Sequence, residues 1–185
     1  MARLIYLMGP SGAGKDSLLE RLSADSHGPL VAHRYITRSA DAGCENHIAL
    51  SEREFLRRRA KGLFALNWQA HGHYYALGIE VDLWLRQGID VVVNGSRAHL
   101  PQALQCYGTQ LLPVCLQVAP EVLRQRLTQR GRETAAQVEQ RLIRAADYQH
   151  TLPAGCRLLD NNGDLEHTFN MLLALMAKQP QDTLL

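Results

Sequence analysis

Apolar and polar positions fall into alternating blocks along this chain. Leu4-Ile5-Tyr6-Leu7-Met8 is an unbroken apolar run, the pattern of a strand buried on both faces of a parallel sheet. Mostly apolar runs recur at Ile89 to Val93, interrupted by Asp90, and at Leu111 to Val118, interrupted by Gln117, and further short strands are predicted over 30–36 and Cys156 to Leu159. Between them the spacing turns helical. Leu18, Leu19 and Leu22 share one face of a helix predicted over 15–24. A helix over 51–61 opens on a capping box, Ser51 with Glu54, and stops at Gly62. Further helices are predicted over 80–87, 97–106, from Pro120 to a break at Gly131, 135–148 and 165–177. Residues 63–77 instead alternate and carry aromatics, which predicts a small antiparallel pair turning at Gly72. Ser39 to His47 reads as loop, and the tail after Lys178 as frayed.

Strands alternating with helices predict an α/β fold, a doubly wound parallel sheet with right-handed crossovers. The 185 residues favour one domain over 1–185, without repeats or low-complexity segments. The formal charge of +2 supplies no global field for nucleic acid or an anionic membrane. No segment approaches the ~20 apolar residues of a membrane span. The first apolar run stops at Gly9, too short for a signal sequence. Cys44, Cys106, Cys115 and Cys156 form no C-x-x-C pair and no zinc spacing, so they read as reduced structural thiols. These features predict a cytoplasmic protein with no nucleic-acid or membrane partner, and leave a homodimer open.

The chemistry begins where the first strand ends. Gly9-Pro10-Ser11-Gly12-Ala13-Gly14-Lys15-Asp16-Ser17 matches the phosphate-binding loop pattern, directly after a strand and directly before a helix. Glycines let backbone N–H groups converge on an anion, the helix adds its positive N-terminus, and Lys15 can reach the outer phosphates. This predicts ATP binding. One position departs from the pattern: Asp16 stands where a Ser or Thr usually binds Mg²⁺. Asp16 with Ser17 is the candidate Mg²⁺ pair; a carboxylate that only complements the helix dipole is the alternative. The strand over 89–93 ends in Asn94, where a second metal-binding acid is usual, and Asp16 would compensate for it.

With these landmarks in order, the chain resembles the guanylate kinase family over nearly its whole length. Besides the phosphate loop, the likeness rests on Ile36-Thr37-Arg38, Ser51 to Phe55, His71 to Tyr75, Asp90 to Asn94, Arg124 to Gly131 and Val138 to Leu142. It implies a nucleoside-monophosphate-kinase type of P-loop fold, with an acceptor-binding insert near 34–78 and a lid near 125–145. It also implies that Arg38 grips an acceptor phosphate, that Tyr75 is the second tyrosine of the family's pair, and that Arg130 and Arg141 stabilise the transferring phosphoryl. Asn161 and Asn162 fall in the loop that packs on adenine, though an ordinary turn would look the same. The departures are informative. Ser39-Ala40-Asp41 replaces a second arginine, His47 falls where a phosphate-binding tyrosine is usual, and Asn67 falls where an acid reads guanine. A site that loses a charged acceptor loses its discrimination for the donor it read.

Those departures, with the Gly9 to Leu18 opening and Arg34 to Arg38, resemble the ribose 1,5-bisphosphate phosphokinase family, guanylate-kinase relatives of phosphonate breakdown. The resemblance implies ATP- and Mg²⁺-dependent phosphorylation of ribose 1,5-bisphosphate to 5-phosphoribosyl 1-diphosphate. Arg34, Arg38, His47, Asn67, Tyr75 and Asn94 are then the acceptor-binding candidates, and Lys15, Arg130 and Arg141 the catalytic ones. Arg124, Arg126, Arg132 and Arg144 are weaker lid candidates. Arg57, Arg58 and Arg59 read as a solvated helix face, and Trp68 and Trp84 as core anchors. His71 and His73 flank the turn and stay open as substrate contacts. A guanylate or other small nucleotide kinase is the rival enzyme, and a non-catalytic binding module the rival of another class; Lys15 argues against the latter.

Overall fold

The structure, a computed structural model, describes residues 1–41 and 45–177; Cys44 and the expected frayed tail lie outside them. In chain order the strands are β1 (Leu4–Met8), β2 (Leu30–Ala32), β3 (Arg34–Ile36), β4 (Ile48–Ala49), β5 (Phe64–Ala70), β6 (His73–Gly78), β7 (Val91–Asn94), β8 (Leu111–Gln117) and β9 (Arg157–Asp160). The helices are α1 (Lys15–Ser23), α2 (Glu52–Ala60), α3 (Glu80–Arg86), α4 (Leu100–Tyr107), α5 (Pro120–Arg130), α6 (Ala135–His150) and α7 (Leu165–Ala177). A five-stranded sheet has the order β2-β7-β1-β8-β9, and a four-stranded sheet the order β4-β3-β6-β5. The pairs β1/β7, β2/β7 and β8/β9 are parallel, as the continuous apolar runs predict. Every residue of β1 is fully buried. No helix of the described residues is long and apolar enough to cross a membrane.

The predicted strand over 30–36 is two strands. Leu30–Ala32 pairs with β7 in the large sheet, and Arg34–Ile36 pairs with β4 and β6 in the small one, so the chain changes sheets at His33. The short β4 was not foreseen; it follows the loop read over 39–47.

The chain divides into two compact units, Met1–Leu7 with Pro29–Pro113, and Met8–Gly28 with the chain from Val114 on. In the first unit, α2 packs on the small sheet. Its Ser51 cap accepts a hydrogen bond from the Glu54 N–H at 3.2 Å, and Phe55 is fully buried against the rings of Phe64 and Tyr74. The β5–β6 hairpin turns at His71-Gly72, both with positive φ (50° and 75°), as a tight hairpin of this hand requires. Arg58 and Arg59 lie over the rings of Tyr35 and Tyr74, and Arg57 is exposed. In the second unit, α1 packs on α7 and α5 on α6. Gly131, with φ of 63°, ends α5, and the reciprocal Thr134–Gln137 capping box starts α6.

Candidate active site

The phosphate loop lies wholly in the second unit. Its conformation depends on glycine at two places. Gly12 and Gly14 have φ of 87° and 94°, and a Cβ on Gly12 would lie 2.9 Å from Leu123 of α5. The loop is therefore seated directly on the α5 surface, and α1 begins at Lys15 with its N-terminus at the loop. Lys15 Nζ donates to the Gly9 carbonyl at 2.6 Å, which curls the side chain over the loop. Asp16 and Ser17 are exposed in the first turn of α1. A cavity of about 380 Å³ opens here, lined by Gly12, Gly14, Ser17, Arg126, Arg130 and Asn161 among others. Convergent backbone, a hydroxyl and two guanidinium groups fit a polyphosphate. Asp16 and Ser17 are oxygen donors of the kind Mg²⁺ takes beside phosphates.

The arginines of α5 and α6 do different things. Arg141, on α6, donates from Nη1 to Ser11 Oγ of the loop at 2.7 Å and pairs through Nη2 with Glu133 at 3.0 Å. Arg130, at the end of α5, is exposed, lines the cavity and makes no ion pair among the described residues. Arg126 also lines the cavity and donates to the Asn161 carbonyl at 2.7 Å. Burial and the nearby charge of Arg130 pull its proton affinity below the usual arginine value. Arg124 instead forms a two-pronged, exposed ion pair with Glu139, joining α5 to α6.

Asn161 and Asn162 use their side chains internally. Asn161 is buried; its Nδ2 donates to the Ala13 carbonyl at 2.6 Å, and its Oδ1 accepts from Thr168 Oγ1 at 2.8 Å. A Cβ on Gly14 would lie 2.5 Å from that same Nδ2. Asn162 Oδ1 accepts from the Ala119 N–H at 2.6 Å, and its Nδ2 donates to Asp160. What Asn161 offers the cavity is its backbone, while its side chain braces the phosphate loop.

The acceptor candidates lie in the first unit. Glu45 is clamped between arginines: Arg34 holds both its oxygens, one at 2.6 Å, and Arg38 Nη2 stands 3.7 Å away. Burial alone would raise the Glu45 carboxyl, but hydrogen bonds and charge from Arg34, then Arg38 and His47, hold it below the usual carboxylate range. Among the described residues Arg38 Nε is buried with no hydrogen-bond partner, an unmet donor of the kind an anion answers. His47 is buried with its ring nitrogens 3.0 Å from the Glu45 carbonyl and 3.1 Å from the Arg38 carbonyl, so it braces the cluster. Arg34 lies over Tyr75, which stacks on Trp68, which stacks on His99. His73 Nδ1 lies 2.9 Å from the Thr37 carbonyl.

Pairing separates Asn67 from this row. Arg34 stands opposite Leu77, Ile36 opposite Tyr75, and Leu66 and Trp68 opposite Leu77 and Tyr75, all on one face. Asn67 stands opposite Ala76, in the row with Tyr35 on the other face. The arginine face carries Leu66 at the level where the sequence had suggested Asn67. Asn94 ends β7 and is buried. The turn after it is locked by Tyr6, whose hydroxyl donates to the Ser96 carbonyl and accepts from the Ser96 N–H. Sequence reasoning missed Glu45, Glu133 and the cavity role of Arg126. Nothing in the linear pattern separates them from ordinary surface charges.

Comparison with known proteins gives a consistent picture. A family described as an AAA domain matches residues 5–147. A protein of Yersinia pestis named ribose 1,5-bisphosphate phosphokinase PhnN is 61% identical over 177 residues, 95% of this chain and 92% of its own length. Another of that name, from Desulfomicrobium baculatum, is 51% identical over 179 residues, 95% of each chain. Among solved structures, a guanylate kinase from Anaplasma phagocytophilum superimposes with a TM-score of 0.69 at 17% identity, over 98% of this chain and 87% of that one. That likeness shows a guanylate-kinase-like fold with its parallel sheet and flanking helices.

Proposed function

Because the chain belongs to the ribose 1,5-bisphosphate phosphokinase family, we propose that it transfers the γ-phosphoryl of ATP to the 1-phosphate of ribose 1,5-bisphosphate, giving 5-phosphoribosyl 1-diphosphate and ADP. The observation that carries this reading is 61% identity, spread over 95% of the chain, to a kinase named for that acceptor. The phosphate loop and the Arg34–Arg38 face support it. A guanine reader needs an acid on the arginine face, and Leu66 and Leu77 stand there. A compact sugar phosphate needs cations and no base contact, which this face offers.

In the transfer, an oxygen of the acceptor phosphate bonds to the γ-phosphorus as the bond to the β-bridging oxygen breaks, and ADP leaves with that electron pair. The loop amides and Lys15 hold the phosphate chain, and Arg126 borders the same cavity. Arg130 and Arg141 meet the charge spread over the transferring group, where preorganised donors act most strongly. Arg38 holds the acceptor, with its unmet Nε as the phosphate donor. Asp16 and Ser17 would hold Mg²⁺, which supplies charge neutralisation on the phosphate chain. We expect the reaction in the cytoplasm, with its phosphorylated substrates.

ADP release measured over GMP, ribose 5-phosphate and ribose 1,5-bisphosphate tests the reading. The bisphosphate should give the highest kcat/KM by at least about a hundredfold, the scale on which a missing site contact discriminates. A preference for GMP would replace this reading with a guanylate kinase.

A further inference from the structure

We infer that Glu133 is a positioning residue: it is the pivot that aims the Arg141 guanidinium at the phosphate loop. The inference rests on the kinase reading and deepens it. Glu133 sits in the short link between α5 and α6, one residue before the Thr134 cap, and only 10% of its side chain is exposed. Its Oε1 takes Arg141 Nη2 at 3.0 Å, while Oε2 is buried without any hydrogen-bond partner among the described residues. A pair kept for stability alone would gain by closing both prongs, because a buried unmet acceptor is destabilising. This pair is closed on one side only. The other prong of Arg141, Nη1, reaches the Ser11 hydroxyl of the loop at 2.7 Å.

The two partners of Arg141 differ in strength. A carboxylate holds a guanidinium through a charge-assisted bond, and a hydroxyl through a weaker neutral one. A phosphate oxygen arriving at the loop therefore displaces the Ser11 hydroxyl and leaves the Glu133 bond in place. Arg141 then turns about its Nη2–Oε1 contact, so Nη1 reaches the anion without the side chain being ordered anew. Holding a long, flexible cation before the reaction removes part of the ordering cost from the transition state. The neighbouring pair Arg124–Glu139 is the built-in contrast. It joins α5 to α6, but both prongs are closed and both side chains are about half exposed, at 52% and 54%. Exposed pairs of that kind contribute little.

The test is a double-mutant cycle on full-length protein, read as ADP release with the best acceptor of the panel above, or with ATP alone if none is used. Parent protein inactive on every acceptor overturns the kinase reading, and hydrolysis of ATP then reads the cycle. Glu133→Ala should lower kcat roughly tenfold, the middle of the range over which contacting residues couple, with the KM for ATP changed less. Glu133→Gln, which keeps the shape and an accepting oxygen, should lose only two- to threefold, about a single neutralised contact. Glu139→Ala should stay within about twofold of parent. In an Arg141→Ala background, Glu133→Ala should cause no further loss. Added guanidinium ion should restore part of the Arg141→Ala rate, and less of it when Glu133 is also replaced. If Glu133→Ala does not fold, Glu133→Gln takes its place in the cycle. Losses that multiply in the double variant, a guanidinium rescue indifferent to Glu133, or an unchanged kcat in the folded single variant would each overturn the inference.

Discussion

Replacing Asn161 by alanine should loosen the phosphate loop more than it removes any nucleotide contact. The side chain makes two buried hydrogen bonds, to the Ala13 carbonyl at 2.6 Å and from Thr168 Oγ1 at 2.8 Å. Thr168 has other acceptors within reach, the carbonyls of Asp160 and Asp164 at 3.1 and 3.4 Å, so its hydroxyl is not orphaned. Among the described residues the Ala13 carbonyl has no such alternative, and it sits on a fully buried residue. Two hydrogen bonds at about 1 kcal/mol each, plus about 1 kcal/mol for stranding that carbonyl, sum to roughly 3 kcal/mol. For a chain of this length that lowers Tm by about 6–12 °C. The loop would also lose its fixed shape, so the KM for ATP should rise by about tenfold, an amount equal to roughly 1.4 kcal/mol of lost preorganisation. Asn161→Asp is the sharper variant. It keeps the shape but sets a carboxylate oxygen against the Ala13 carbonyl where an N–H had donated, so it should be at least as unstable as the alanine variant. Thermal melts and ATP titrations of both variants suffice. A Tm within about 1 °C of parent, in either variant, would refute the brace, since neither buried bond could then be contributing at this scale.

The remaining predictions are shorter. Lys15→Ala should abolish transfer and leave a folded protein, because the ammonium donates to carbonyls of the loop itself; near-parental turnover in the folded variant sinks the phosphate-loop assignment. Asp16→Ala should need more Mg²⁺ for half-maximal rate than Asp16→Ser does, and identical Mg²⁺ titrations of parent and both variants would reduce Asp16 to a helix-dipole residue. Glu45 has a folded pKa below its unfolded one, so its stabilisation is present above about pH 4.3 and is lost as pH falls through the folded value. Urea unfolding should therefore find parent more stable than Glu45→Gln at pH 7 and the gap closing towards pH 3; a gap independent of pH contradicts the assignment of that shift to the Arg34 clamp.

The elements were legible where a local pattern decides them. β1 announces itself as an unbroken apolar run and β7 and β8 as mostly apolar ones, and Ser51 with Glu54 marks the start of α2. The break of the 30–36 run into two strands was not legible, because which sheet a strand joins depends on partners far along the chain. Asn67 fails for a related reason. Trp68 served as the anchor for placing it, and in a strand a slip of one residue moves a side chain to the opposite face. The row that Arg34 belongs to therefore contains Leu66. The Asn161 side chain turns towards Ala13 and Thr168, which only the folded chain could show. Glu133 and Glu45 carry no linear signal at all. Each becomes notable through a neighbour brought up by folding, Arg141 for one and Arg34 for the other.

The arginines of α5 and α6 show why counting cations overstates what a lid can do. A guanidinium closed on a carboxylate through both prongs has little left to offer a phosphate, and Arg124 is in that state with Glu139. Arg126 directs a donor to the Asn161 carbonyl, so it helps shape the cavity wall. Its burial and the nearby charge of Arg130 disfavour its own charge, and an anion in the cavity would relieve that repulsion. Arg130 is unpaired among the described residues, and Arg141 is half paired. The capacity to take a new anion thus rises from Arg124 through Arg126 to Arg141 and Arg130. That order rests on what each side chain already holds.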